Sequence, residues 1–210
     1  TERWCIWMPE PDANLIRNNP IIKRHIEATR EFRESAKDAN VHNDATAPYR
    51  FHRVKQPATN YLCIPAHFAE SRTYATAAYL DTDHIAGNAN FTTADADGFL
   101  FAVISSAMFL TWQKTVGGRI RADPRFSSRL VWNNYPFPNT TPAERQRLIK
   151  AGKAILAARE AHPDQSLADL YEPLAMPSDV IKAHTALDKV TDRLFGFAKP
   201  PTEVTRQARL

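Results

Sequence analysis

FLFAVISSAMFLTW, residues 99–112, is the most apolar run in the chain, and VGGRIRADPRFSSRLVWNNYPFP, residues 116–138, follows almost directly. The first run is long enough to favour a buried helix over a strand. Ser105, Ser106 and Ala107 in its middle let a neighbouring element come close. Gly117 and Gly118 then end the helix and free the backbone to turn. Beyond them Arg119, Arg121 and Asp123 alternate with Ile120 and Ala122, so in extended conformation the three charged residues share one face. The expectation is a buried support that presents a basic edge.

The charge distribution agrees. The chain carries 27 Lys and Arg against 23 Asp and Glu, a net charge of only +4, so the total says little about partners. Residues 81–110, however, hold Asp81, Asp83, Asp95 and Asp97 and no Lys or Arg. Residues 111–130 hold Lys114, Arg119, Arg121, Arg125 and Arg129, with Asp123 the one acid. A local concentration of this kind is the footprint expected of polyanion binding. Arginine can donate two parallel hydrogen bonds to guanine O6 and N7, and aspartate can accept from cytosine N4, so Arg121 and Asp123 could read one G·C pair. An Arg–Asp ion pair on the surface, worth about 0 to 1 kcal/mol, explains the same spacing, and periodicity does not separate the two.

With 210 residues, 43% of them hydrophobic, the chain can bury one core, or one core and a small helical appendage. Cys5 and Cys63 lie in apolar runs without metal-ligand spacing, which suggests buried free thiols. No apolar run approaches the ~20 residues of a membrane span, and no signal peptide opens the chain. The sequence begins at Thr1 in mid-pattern, as a fragment of a longer protein would.

Residues 4–7, WCIW, read as a strand closed by Pro9 and Pro11. A helix starts at Pro20 after an asparagine cap and runs to about Ala39, with Arg30, Arg33 or Lys37 available to a DNA backbone. Residues 40–60 read as loop with a short strand at 49–54, and residues 61–65, YLCIP, as a buried strand ended by proline. Glu70, Ser71, Arg72 and Tyr74 are of types that touch phosphate or bases, although an ordinary loop would look the same. Alternation continues to Tyr79 and Leu80, and again over residues 84–91.

After Pro138 the pattern becomes helical. Thr141-Pro142-Ala143-Glu144 is a capping box with proline at the first turn, Ser166 to Asp169 offers a second start, and a third helix runs from Ser178 to a stop at Gly196. His184 falls near the apolar face of that helix, where a packed histidine is expected, while Asp188, Lys189, Asp192 and Arg193 read as surface i,i+4 pairs. Residues 199–210 read as a frayed basic tail. Asn133-Asn134-Tyr135-Pro136-Phe137-Pro138 looks superficially like the base-holding loop of adenine methyltransferases, but its prolines are misplaced. No nucleotide-binding glycine loop, HExxH, acidic nuclease cluster or histidine ligand spacing is present, so the fragment itself carries no catalytic or metal motif.

The ordered set WCIW, REFRESAKDA, YLCIPAHFAESRTYATAAYLD, FAVISSAMFLTW and VGGRIRADPRFSSRLVWNNYPFP resembles the target recognition domain of MmeI-like DNA methyltransferases. AILAAREAHPDQSLADLYEPLAMPSDVIKAHTALDKVTDRLFGF resembles the C-terminal helical segment of the same enzymes. The resemblance implies an α+β fold: a mixed-sheet recognition domain over residues 1–138 and a small all-helical domain over 139–210, with the exit at 133–138 as hinge. It also implies double-stranded DNA as partner, an upstream adenine-N6 methyltransferase domain of the same chain using S-adenosylmethionine, and sometimes a fused restriction endonuclease. A bacterial cytoplasmic location and no membrane partner follow. Arg121 and Asp123 fall where a paired substitution sets the base read in this family; Arg119, Lys114, Arg125 and Arg129 become backbone contacts, with Ser71, Arg72 and Tyr74 beside the DNA. A stand-alone nuclease and a protein- or RNA-binding scaffold are the rival classes.

Overall fold

The computed structural model describes residues 3–54 and 56–210, which fall into two compact units, Thr1–Gln56 and Pro57–Leu210. The first unit is helical. Helix α1 (Ala13–Asn18) is capped by the Asp12 carboxylate, and α2 (Pro20–Glu34) by the Asn19 side chain, which accepts from the amides of Ile21 and Ile22. Helix α3 (Ala39–Asn43), capped by Asp38, runs into a 3-10 turn over Asp44–Thr46. Arg33 is buried here and donates to the carbonyl oxygens of Asp44, Ala47 and Arg50 at 3.0, 2.9 and 2.7 Å. It is therefore a brace for its own loop and is not available to phosphate. Neither residues 4–7 nor 49–54 form a strand. The carbonyl of Arg50 bonds Arg33 in place of a ladder partner, and Trp4 is 97% exposed.

The second unit opens with β1 (Tyr61–Pro65), flanked by β2 (Ala78–Leu80) and β3 (Asn90–Thr93). The order is β2-β1-β3 and both pairings are antiparallel, with Leu62 opposite Tyr79 and Thr93. The sheet is thus small and antiparallel, not mixed, within an α+β fold. Residues 99–116 form two helices, α4 (Phe99–Ile104) and α5 (Ala107–Val116), where the apolar run suggests one. The break has a local cause: Ser106 donates from Oγ to the Val103 carbonyl and accepts from the Phe109 amide, ending one helix and capping the next.

A tight hairpin, β4 (Arg119–Ile120) and β5 (Asp123–Pro124), follows, then a π-helical turn at Ser128–Trp132. The remaining helices are α6 (Pro142–Glu160), opened by the Thr141/Glu144 capping box, α7 (Leu167–Leu170), α8 (Ser178–Leu194) and α9 (Glu203–Gln207). Helices α4 and α6 cross where Gly152 has no side chain; a Cβ there would sit 2.7 Å from that of Ala102. The larger of two buried apolar clusters runs through the unit, with Leu62 from β1, Phe101 from α4, Phe109 from α5, Leu148 and Ile155 from α6 and Leu187 from α8; Tyr74, Leu170, Tyr171 and Val180 form the smaller.

Helix α8 is fixed by polar groups as well. His184, fully buried, bonds the Ser105 carbonyl through Nδ1 at 3.1 Å and the Tyr171 hydroxyl through Nε2 at 2.6 Å, and stacks on Tyr74 at 3.9 Å. Burial, aided by the positive charge of Arg159, pushes its pKa down to about 3, so the ring is neutral. It is the packed histidine expected. Asp188 accepts from the Ala107 amide at 2.7 Å and the Tyr74 hydroxyl at 3.1 Å. Asp192 takes both nitrogens of a fork from Arg206 at 2.8 Å each. Both aspartates are buried, so they do not form the surface pairs that their spacing suggests. Arg206 lies in α9, which the Thr202 hydroxyl caps, and residues 203–207 are accordingly helical instead of frayed. Cys5 and Cys63 are free thiols, but Cys5 is exposed and Cys63 half-buried. Among the described residues no helix is long and apolar enough to cross a membrane, and no cluster could hold a metal.

Candidate nucleic-acid interface

The basic edge is built by a close approach. A Cβ on Gly117 would stand 2.4 Å from the Gln113 carbonyl oxygen and 2.9 Å from that of Arg125, so only glycine lets the chain leave α5 here. The Arg125 amide then bonds the Gly118 carbonyl at 2.8 Å, and the Phe126 amide bonds that of Ala66 at 2.7 Å. These bonds fasten the hairpin between the end of α5 and the segment just after β1.

Within the hairpin Arg119 pairs with Pro124 and Ile120 with Asp123, leaving Arg121 and Ala122 as a two-residue turn. Arg121 sits at φ 58°, in the left-handed region that costs a side-chain-bearing residue about 1–2 kcal/mol. Two-residue hairpins favour positive φ at this position because it matches the twist of the strands. The alternation from Arg119 to Asp123 therefore does not make one extended face: the chain reverses at Arg121, which stands exposed at the tip, with Asp123 on the returning strand. No ion pair joins Arg121 to Asp123 among the described residues. Asp123 Oδ1 instead accepts from the Glu70 amide at 3.0 Å, and Arg119 donates to the Glu70 carboxylate at 3.1 Å and to the Ala122 carbonyl at 2.7 Å.

The other candidates separate into two groups. Arg125, Arg129 and Ser71 are exposed. Lys114 is only 19% exposed and lies 3.6 Å from the Glu203 carboxylate, while Arg119 is occupied by Glu70. Arg72 donates to the Ala168 carbonyl at 3.3 Å. Tyr74 is buried under His184 with its hydroxyl on Asp188, so it belongs to the core and is withdrawn as a DNA contact. Residues 133–138 do not behave as a hinge. Tyr135 packs against Phe109 with ring centres 5.0 Å apart and against Phe195 at 6.0 Å, and Phe137 meets Phe99 edge-on at 5.6 Å. Trp112 Nε1 donates to the Val131 carbonyl at 2.7 Å, so the exit is an aromatic seam of the core. Sequence reasoning missed the double role of Glu70. Its partners lie 49 and 53 residues away, and no periodicity marks them.

Comparison with known proteins gives this geometry a family. Residues 1–139 match the model described as the MmeI target recognition domain, and residues 140–210 the model described as the MmeI C-terminal domain. DNA methyltransferase A of Bacillus subtilis (strain 168) is 31% identical over 194 residues, 92% of this chain and 22% of that protein. The solved structure of the type IIL restriction-modification enzyme MmeI in complex with DNA superposes with a TM-score of 0.93 at 36% identity, over 98% of this chain and 27% of that one. The chain thus spans about a quarter of the length of these relatives. Matched from end to end by the two models, the chain belongs to the MmeI family, over that family's target recognition and C-terminal domains.

Proposed function

We propose that these residues dock on duplex DNA and choose the sequence at which an upstream methyltransferase domain of the same chain methylates adenine at N6, drawing on S-adenosylmethionine held in that domain. Carrying the reading is the hairpin tip, where Arg121 is held out in a left-handed turn with no internal partner among the described residues while Asp123 is fixed beside it. The relatives support it: one is named a DNA methyltransferase, and the other was solved with DNA.

Arg121 donates to O6 and N7 of a guanine in the major groove. Asp123, with Oδ1 on the Glu70 amide, keeps Oδ2 to accept from N4 of the paired cytosine. Arg125, Arg129 and Ser71 hold phosphates and supply affinity without sequence information. Lys114, Arg119 and Arg72 reach phosphate only by giving up Glu203, Glu70 and the Ala168 carbonyl, and so serve first as internal braces. The recognition part takes residues 1–138 and the helical part 139–210, which braces it. An enzyme that methylates the cell's own genome acts in the bacterial cytoplasm, and that location belongs to the same proposal.

The test is to map methylated adenines across the genome of cells expressing the full-length protein, wild type and with Arg121 and Asp123 both replaced by alanine. The motif should change at one position. A motif that survives the double replacement intact removes the pair from base reading.

A further inference from the structure

We infer that Glu70 is the positioning residue that sets how sharply the hairpin discriminates its base pair. The inference rests on the reading of Arg121 and Asp123 given above. One residue holds both strands: its amide donates to Asp123 Oδ1 on β5 at 3.0 Å, and its carboxylate accepts from Arg119 on β4 at 3.1 Å. Arg119 in turn donates to the Ala122 carbonyl in the turn at 2.7 Å, so the clamp reaches the residue after Arg121.

The clamp comes from outside the hairpin. Hairpin and clamp belong to chain segments about fifty residues apart, and the hairpin alone pairs only two residues on each side. So short a ribbon does not hold its own register or tip conformation in water. A carboxylate free to rotate about its side-chain bonds can offer an acceptor to several bases, or turn to bond Arg121. With Oδ1 fixed on an amide, Oδ2 has one direction left, and an acceptor aimed in one direction selects a donor-bearing base edge.

The turn chemistry supplies a clean perturbation. The Arg72 amide bonds the Ala69 carbonyl at 3.0 Å, which makes residues 69–72 a β-turn with Glu70 in its second position. Proline is favoured there, and the turn itself does not use that amide. Glu70→Pro therefore removes the donor to Asp123, together with the carboxylate, while keeping the turn. Glu70→Ala removes the carboxylate and keeps the donor. The two variants differ in the one hydrogen bond that the inference depends on.

Both variants, with Asp123→Ala, are made in the full-length protein, and methylation rates are compared on duplexes that carry the cognate pair or each alternative at every motif position. The preference at the position read by Arg121 and Asp123 should fall about tenfold in Glu70→Pro, within the fivefold to 150-fold that one bidentate base contact is worth. It should fall less, by no more than about threefold, in Glu70→Ala, which frees Arg119 but keeps Asp123 Oδ1 on the amide, and the other positions should remain sharp in both. If Asp123→Ala blurs that position and Glu70→Pro does not, the inference fails and the reading stands. If Asp123→Ala and the Arg121/Asp123 double replacement leave every position unchanged, the reading fails and takes the inference with it. Loss of preference at all positions in Glu70→Pro, or a lower melting temperature than Glu70→Ala, would assign Glu70 to folding and overturn the inference.

Discussion

Arg206→Ala should destabilise the protein far more than a change so near the end of the sequence would suggest. Asp192 is 3% exposed, and its carboxylate receives both its bonds in the fork from Arg206, at 2.8 Å each. Removing the arginine leaves a buried carboxylate without its partner under the C-terminal part of α8. Breaking a buried pair in this way costs about 3–5 kcal/mol, because desolvation remains when the attraction is gone. For a unit of roughly 150 residues a kcal/mol moves the melting temperature by about 2–4 °C, which gives a fall of roughly 6–20 °C. The assay is thermal melting followed by circular dichroism. The double variant Asp192→Leu with Arg206→Met separates pair loss from poor packing and should recover most of the fall, since no charge is left buried. A fall below about 2 °C in Arg206→Ala would refute the argument and mean that α9 lies loose in solution with Asp192 hydrated.

Two further outcomes follow from the same unit. Burial pushes Asp188 up to about 6, so the folded state binds its proton more tightly than the unfolded chain does. Its contribution is fully present below the ordinary value of 3.8 and is lost as pH rises through 6, while His184, pushed down to about 3, acts in the opposite sense over the same window. Asp188→Asn removes only the first of these. In urea unfolding the variant should therefore gain roughly 3 kcal/mol on wild type between pH 4 and pH 7, and parallel profiles would rule this out. Gly117→Ala should cost about 1–3 kcal/mol by overpacking against two backbone carbonyls, whereas Gly118→Ala, with no atom within 4 Å of the new Cβ, should be neutral in the same assay.

The parts legible in the sequence were those set by local rules. The strand at 61–65, the capping box at Thr141, the short helix start at Ser166 and the stop at Gly196 each depend on residues within a turn or so, and each is where its signal places it. What was illegible depends on partners far along the chain. Residues 4–7 look like a strand but have no ladder to join. Asp188 and Asp192 sit in a charged run of the kind that usually faces solvent, yet they lie on the inward stripe with His184 and Thr191, and their partners come from Tyr74, Ala107 and Arg206. At the interface the basic residues could be listed from composition, but alternation misplaced them. A strand and a two-residue hairpin share the same pattern until one residue takes positive φ, and arginine does not announce that.

The break at Ser105 and Ser106 bears on how specificity can be moved between relatives. His184 and Asp188 bind the Ser105 carbonyl and the Ala107 amide directly, so the helix that feeds the reading hairpin is held in place by residues beyond position 180. A chimaera joined at 138/139 would graft one relative's α4 and α5 onto another's α8 and would inherit two buried hydrogen bonds that neither parent selected together. Exchanging residues 57–210 as a block keeps both ends of each bond in one parent, and that junction is the better place to cut.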